Sequence, residues 1–168
     1  MALEVERKFL LPAYPEAHVQ SGELVILLEQ RIEQTYLAIA DGQELRVRRI
    51  VDLATNNVHF THTFKSGGGL VREEIEYDIS QGLYEQVMQA LQAIPLTKNR
   101  ITARWNDTTT VEIDIYDQIQ LTVLEVEFES EVEALAFTSP DWFGPDISSA
   151  KEYSNKKVWR DLQTRGQS

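Results

Sequence analysis

The chain of 168 residues contains no cysteine. Disulfides, thiolate nucleophiles and zinc–sulfur centres are therefore excluded. No apolar run approaches the roughly 20 residues that a membrane-spanning helix needs. Basic residues are scarce: 16 Lys and Arg stand against 27 Asp and Glu, a formal net charge of -11. No basic field covers such a surface, so neither nucleic acid nor an anionic membrane is expected as a partner. An anionic small molecule is still admissible if the few basic residues gather where it sits, or if a metal supplies positive charge. Met1 leads almost at once into the first strand, leaving no room for a signal or transit peptide, so a cytoplasmic location is expected.

Hydrophobic residues make up 42% and charged residues 26%, ordinary values for a globular chain long enough to build a core. A single domain over residues 1–168 is expected. The first strand runs to Leu10 and Leu11, and Pro12 stops it. Residues 14–20 read as a loop or short helical turn, and the apolar run at 23–28 as a helix end. Strands follow at 32–40, 44–51, 58–65 and 70–79. Their turns fall at Asp41-Gly42, Asn56-Asn57 and Gly67-Gly68-Gly69, forming a meander. Over 82–94 the period turns helical, with Leu83, Val87, Ala90, Leu91 and Ile94 in register, Ser80 as cap and Pro95 as stop. Three more strands are expected at 96–105, 109–116 and 120–130, then helices at 131–137 and 155–163, the last capped by Ser154.

The strands carry an unusual charge pattern. Glu4, Glu6 and Lys8 alternate with Val5, Arg7 and Phe9, so they share one strand face. Arg46 and Arg48 flank Val47, Glu74 and Glu76 flank Ile75, and Lys98 and Arg100 flank Asn99. Glu112 and Asp114 interleave with apolar neighbours, as do Glu125 and Glu127. A solvated face has no reason to sort its charges by strand. An enclosed space holding anion, cation and metal does. By the same parity Arg7 faces outward with Val5 and Phe9, lying over apolar cover with its guanidinium in solvent.

Other features have plainer readings. The Gly67-Gly68-Gly69 run is a hairpin turn, because a phosphate-binding P-loop needs Gly-Lys-Ser/Thr leading into a helix. His59 and His62 point to opposite faces, and His18 has no partner in sequence. Trp105, Trp142 and Trp159 read as core or helix-docking residues. The fold class is α+β, mainly β. About eight antiparallel strands can close into a barrel with helices packed outside and charges inside. Buried like charges are costly, so the carboxylates would need metal and the cations phosphate.

The ordered set Glu4-x-Glu6-x-Lys8, Leu45-Arg46-Val47-Arg48, Thr63-Phe64-Lys65, Glu74-Ile75-Glu76, Glu112-Ile113-Asp114 and Leu124-Glu125-Val126-Glu127-Phe128 resembles the CYTH superfamily, the triphosphate tunnel metalloenzymes. The resemblance implies a closed antiparallel eight-stranded tunnel acting on triphosphates with Mg2+ or Mn2+. By position it implies phosphate contacts from Lys8, Arg46, Arg48, Lys65, Lys98 and Arg100. It implies metal binding by Glu4, Glu6, Glu125 and Glu127, and catalytic roles for Glu112, Asp114 and Lys98. Glu74 and Glu76 match a further acidic pair. Where many relatives have an arginine before the tyrosine, this chain has Glu152 before Tyr153, with Lys151 as a substitute.

Inorganic triphosphatase is the expected activity, on a small-molecule triphosphate, by a monomer or homodimer. The alternatives are a thiamine or nucleoside triphosphatase, a class IV-like adenylate cyclase, or a non-catalytic polyphosphate-binding module. Such cyclases carry a His-Phe pair ahead of the first motif, and only Met1, Ala2 and Leu3 precede Glu4. A binder would need the cations far more than every carboxylate.

Overall fold

Alternation along the strands decides the architecture, because each strand must bury one face while its charged face looks the other way. The computed structural model describes residues 2–166. Eight strands are present: β1 (Ala2–Leu10), β2 (Leu24–Ala40), β3 (Gln43–Asp52), β4 (Val58–Ser66), β5 (Val71–Ile79), β6 (Leu96–Trp105), β7 (Thr109–Tyr116) and β8 (Leu121–Glu127). They form a closed barrel in the order β1-β5-β4-β3-β2-β6-β7-β8. All pairings are antiparallel. The hairpin at Asp41-Gly42 turns with Gly42 at φ 69, a conformation that costs glycine nothing. Helices α1 (Glu16–Gln20), α2 (Gln81–Leu91), α3 (Glu131–Ala136) and α4 (Asn155–Gly166) complete the chain.

Apolar outer faces supply the core. Phe9, Val111, Ile113, Leu124 and Val126 are fully buried beneath Phe137, Trp142 and Phe143. Each such burial contributes roughly 1.5–3 kcal/mol. On the far side α2 lays Tyr84 over Val47 and Phe60, with Val87 and Met88 beside it. Its Ser80 cap accepts from Leu83 N–H.

Several local expectations are corrected. From Leu24 the run at 23–28 begins β2 instead of ending a helix, because Leu24 pairs with Trp105 of β6 and long-range pairing decides an ambiguous run. The inward stripe of α2 is the buried Tyr84 with the half-buried Val87 and Met88, while Leu83, Leu91 and Ile94 are exposed. That helix ends at Gln92 in a left-handed conformation (φ 49), before Pro95 is reached. The outer face of β5 is not covered: Ile75 and Tyr77 are exposed. Arg7 does face outward, but only 17% of its side chain is accessible, since Asp146 holds it.

Strand β1 changes partners midway. Ala2 to Val5 pair with β5, whereas Glu6 to Leu10 pair with β8. The edge that β5 vacates is taken by residues 145–148. Leu10 N–H donates to the Pro145 carbonyl, Ile147 N–H donates to the Lys8 carbonyl, and Phe9 bridges to Asp146. The approach requires Gly144, where an added Cβ would stand 1.9 Å from the Leu10 carbonyl oxygen. Beyond it, α4 lies across the barrel end, with Trp159 against Tyr36 and Asn155 accepting from the Tyr116 hydroxyl.

Candidate active site

The inward faces of seven strands enclose a cavity of about 540 Å³. Strand β1 contributes Glu4, Glu6 and Lys8; β3 contributes Arg46 and Arg48; β4 contributes Lys65; β5 contributes Glu74 and Glu76. Arg100, Glu112, Glu125 and Glu127 complete the wall from β6, β7 and β8. The same-face pairs read in the sequence therefore meet in one space. Lys98 and Asp114 do not line it. They lie beneath its surface, 0% and 1% exposed, with Lys98 Nζ 2.8 Å from Asp114 Oδ2.

Positive charge is crowded on one part of the wall. Arg100 forms a fork on Asp114, Nε to Oδ1 at 2.8 Å and Nη2 to Oδ2 at 2.9 Å, and reaches Glu112 at 3.0 Å. Burial, then the charges of Arg46 and Arg100, pull Arg48 down to about 10. Its Nε donates to Gln34 Oε1 at 3.3 Å; Arg46 Nε makes no hydrogen bond, and burial opposes the Arg46 charge, but Tyr36 and Glu44 outweigh it and raise the group. Burial likewise draws Lys98 down to about 7, against the pull of Asp114. Burial opposes ionisation of Asp114, yet Arg100 and Lys98 hold its carboxyl well below the usual range.

The carboxyls face the opposite problem. Glu6 is raised by the neighbouring Glu125 charge and by burial. Burial and Glu4 push Glu74 up to about 7, while burial and Glu112 push Glu127 up to about 7. Glu4 is the ionised member of its pair. Burial opposes that charge, but Glu74 and Lys65 bring it to about 2, with Lys65 Nζ 2.9 Å from Glu4 and 3.4 Å from Glu74. A buried Arg48 short of counter-charge and carboxyls crowded against one another are complementary deficits. A polyanion relieves the first and a cation the second.

Among the described residues, no three acidic or histidine side chains converge as a ready ion cage. The donor set nevertheless fits a small hard cation. The paired carboxyls of Glu4, Glu6, Glu125 and Glu127 offer oxygen ligands only, and Mg2+-type ions use one or two carboxylates plus water and substrate phosphate. A larger groove of about 870 Å³ lies outside the barrel between Leu10 and Gln118, but Asp117 is its one charged side chain, so it offers a polyanion no counter-charge.

Some lining residues escaped sequence reading. Glu44 and Arg72 continue the parity of Arg46–Arg48 and Glu74–Glu76 and pair with each other at 3.4 Å. That signal was present in the alternation. Ser148 comes from an irregular segment with no periodicity to betray it, while Tyr153 and Asn155 line the cavity from the 3₁₀ turn at Lys151–Tyr153 and the start of α4. Lys8 Nζ donates to the Tyr153 carbonyl at 2.8 Å. His18, without a sequence partner, bonds Glu23 and stacks on Trp142.

The sequence profile of the CYTH domain family matches residues 2–149. An inorganic triphosphatase of Nitrosomonas europaea is 33% identical over 158 residues, spanning 92% of this chain and 95% of that protein. One from Acetivibrio thermocellus is 24% identical over 160 residues, spanning 94% of each. Among solved structures, the crystal structure of an inorganic triphosphatase superposes with a TM-score of 0.63 at 31% identity, covering 95% of each chain. A Pyrococcus horikoshii protein at 15% identity shares the fold, with a TM-score of 0.60 over 95% of this chain and 89% of that one.

Proposed function

This chain belongs to the CYTH domain family, and we propose that it hydrolyses inorganic tripolyphosphate to pyrophosphate and phosphate within the barrel, with Mg2+ or Mn2+. One observation carries this reading: the buried Arg48 guanidinium, crowded by the like charges of Arg46 and Arg100, shares a 540 Å³ cavity with carboxyls crowded against one another. Phosphoryl transfer asks for charge neutralisation and in-line positioning more than for covalent chemistry.

Arg46, Arg48, Arg100, Lys65 and Lys8 hold the phosphate oxygens, Arg46 and Arg48 by their planar forks, while Arg100, whose fork is taken by Asp114, adds its charge. Glu4, Glu6, Glu125 and Glu127 hold the divalent ion, which when bound neutralises charge on the phosphoryl oxygens. Glu112, on the cavity wall beside Arg100, orients the attacking water. Lys98 and Asp114 work from beneath: Asp114 aims Arg100, and Lys98 balances its charge. Glu74 keeps Lys65 in place, and Glu76, accepting from Thr63 at 2.8 Å, stands on the cavity wall beside it.

Phosphate release from tripolyphosphate, ATP and thiamine triphosphate, side by side with Mg2+ and Mn2+, tests the reading. Tripolyphosphate should give the highest kcat/KM, because the charged wall recognises phosphate. A higher value for ATP, or formation of cyclic AMP, contradicts the assignment.

A further inference from the structure

Lys8 is the wall cation whose aim is set from outside the barrel. Its neighbour Arg7 points outward and its fork is fully used. Nε and Nη2 donate to Asp146 Oδ2 at 3.0 and 2.7 Å, and Nη1 donates to the Ala134 and Phe137 carbonyls at 3.0 and 2.7 Å. The guanidinium also lies over the Phe9 and Phe137 rings. Asp146 uses its other oxygen, Oδ1, to accept from Ser148 N–H at 2.8 Å. Ser148 Oγ then accepts the Lys8 N–H at 2.9 Å. The chain continues through a 3₁₀ turn at Lys151–Tyr153, whose last carbonyl receives the Lys8 ammonium.

We propose that Arg7 and Asp146 are positioning residues for the triphosphate site: their ion pair outside the barrel latches residues 145–153 along β1 and so fixes the Lys8 ammonium against the cavity. An ammonium is a compact point charge on a four-carbon stem, and such a group has no preferred direction of its own. One of its three donors is spent on the Tyr153 carbonyl, which leaves the other two free for phosphate. Without the latch, the vacated edge of β1 loses its cover and the ammonium falls towards Glu125, the carboxyl its charge already lowers. A charge-assisted fork that is only 17% accessible on the Arg7 side is strong enough for this task.

This inference rests on the triphosphate reading but is tested by binding as well as by turnover. Asp146→Asn removes the charge while keeping an oxygen for Ser148 N–H; Arg7→Lys keeps charge but loses the fork. Calorimetric titration with the non-hydrolysable imido analogue of tripolyphosphate at saturating Mg2+ is compared with steady-state kinetics on tripolyphosphate at the same metal concentration. In either variant Kd and KM should rise roughly tenfold while kcat stays within about twofold, the pattern of lost ground-state positioning. Asp146→Glu, which can restore the ion pair, should recover most of the affinity. A lowered Tm with unchanged Kd and KM in both variants reduces the pair to a structural tie and overturns the proposal. Wild-type binding without phosphate release removes the hydrolase reading alone, and wild type that does not bind removes both. Should Asp146→Asn fail to fold, Arg7→Lys decides.

Discussion

Arg100 and Asp114 face each other across β6 and β7 through two parallel hydrogen bonds, with both carboxylate oxygens occupied and Asp114 only 1% exposed. Lys98 adds a third cationic contact to the same carboxylate. Asp114 is thus an anchor beneath the cavity wall rather than a group open to solvent. Asp114→Asn leaves two buried cations short of their counter-charge, a change that costs about 3–5 kcal/mol when one partner of a buried pair is removed. The expected result is a fall in Tm together with a kcat/KM loss for tripolyphosphate of at least 100-fold on the order-of-magnitude scale of a misaimed charge clamp. An Asn variant with normal kinetics would show that Arg100 needs no aiming.

The paired carboxyls give the protein without metal a pH dependence of definite sign. Glu74 and Glu127 stand at about 7 when folded, against roughly 4.3 for an unfolded glutamate. The folded state therefore binds more protons than the unfolded state between these values. Their contribution to stability is complete below about pH 4.3 and disappears as pH rises through about 7. Glu4 and Asp114, both lowered, act in the opposite sense only at more acidic pH. In chelator, Tm should fall between pH 4.5 and 7, and added divalent ion should flatten the decline. A Tm that climbs over this interval in chelator is incompatible with protonated pairs.

Glu6 is raised by the adjacent Glu125 charge and by burial. Glu6→Gln keeps the shape and removes the repulsion. At pH 8 without metal, the variant should melt higher by about 2–4 °C, the shift that ~1 kcal/mol gives in a chain of this size. Turnover should drop by more than tenfold, since the cation site loses the negative charge of one ligand. Melting curves and saturating-metal kinetics on the same preparation check both halves. A variant that loses stability yet keeps full activity would place Glu6 outside the cation site.

Much of this was legible in the sequence because the side-chain period of a strand is two. Glu4, Glu6 and Lys8 on one parity, with Val5, Arg7 and Phe9 on the other, already separate cavity from cover. Glu44 and Arg72 obey the same parity and were readable in principle. The start of β2 was not, since Leu24 becomes a strand only by pairing with Trp105, 81 positions away by sequence number. Nor could parity assign Asp114 and Lys98 to a layer below the cavity, because depth along an inward side chain is set by its neighbours. The Arg7–Asp146 fork joins residues 139 apart through a segment without regular structure, where no periodicity operates.

Hydrolysis of tripolyphosphate followed by phosphate release, with Mg2+ and then in excess chelator, tests the central claim most directly. The guanidiniums and ammoniums of the wall answer the polyanion, but the surplus carboxyls of Glu4, Glu6, Glu125 and Glu127 repel it unless a cation intervenes. The expected result is rapid release with metal and none in chelator, restored when metal is returned. Undiminished hydrolysis in chelator, or no release from tripolyphosphate under either condition, would contradict the account.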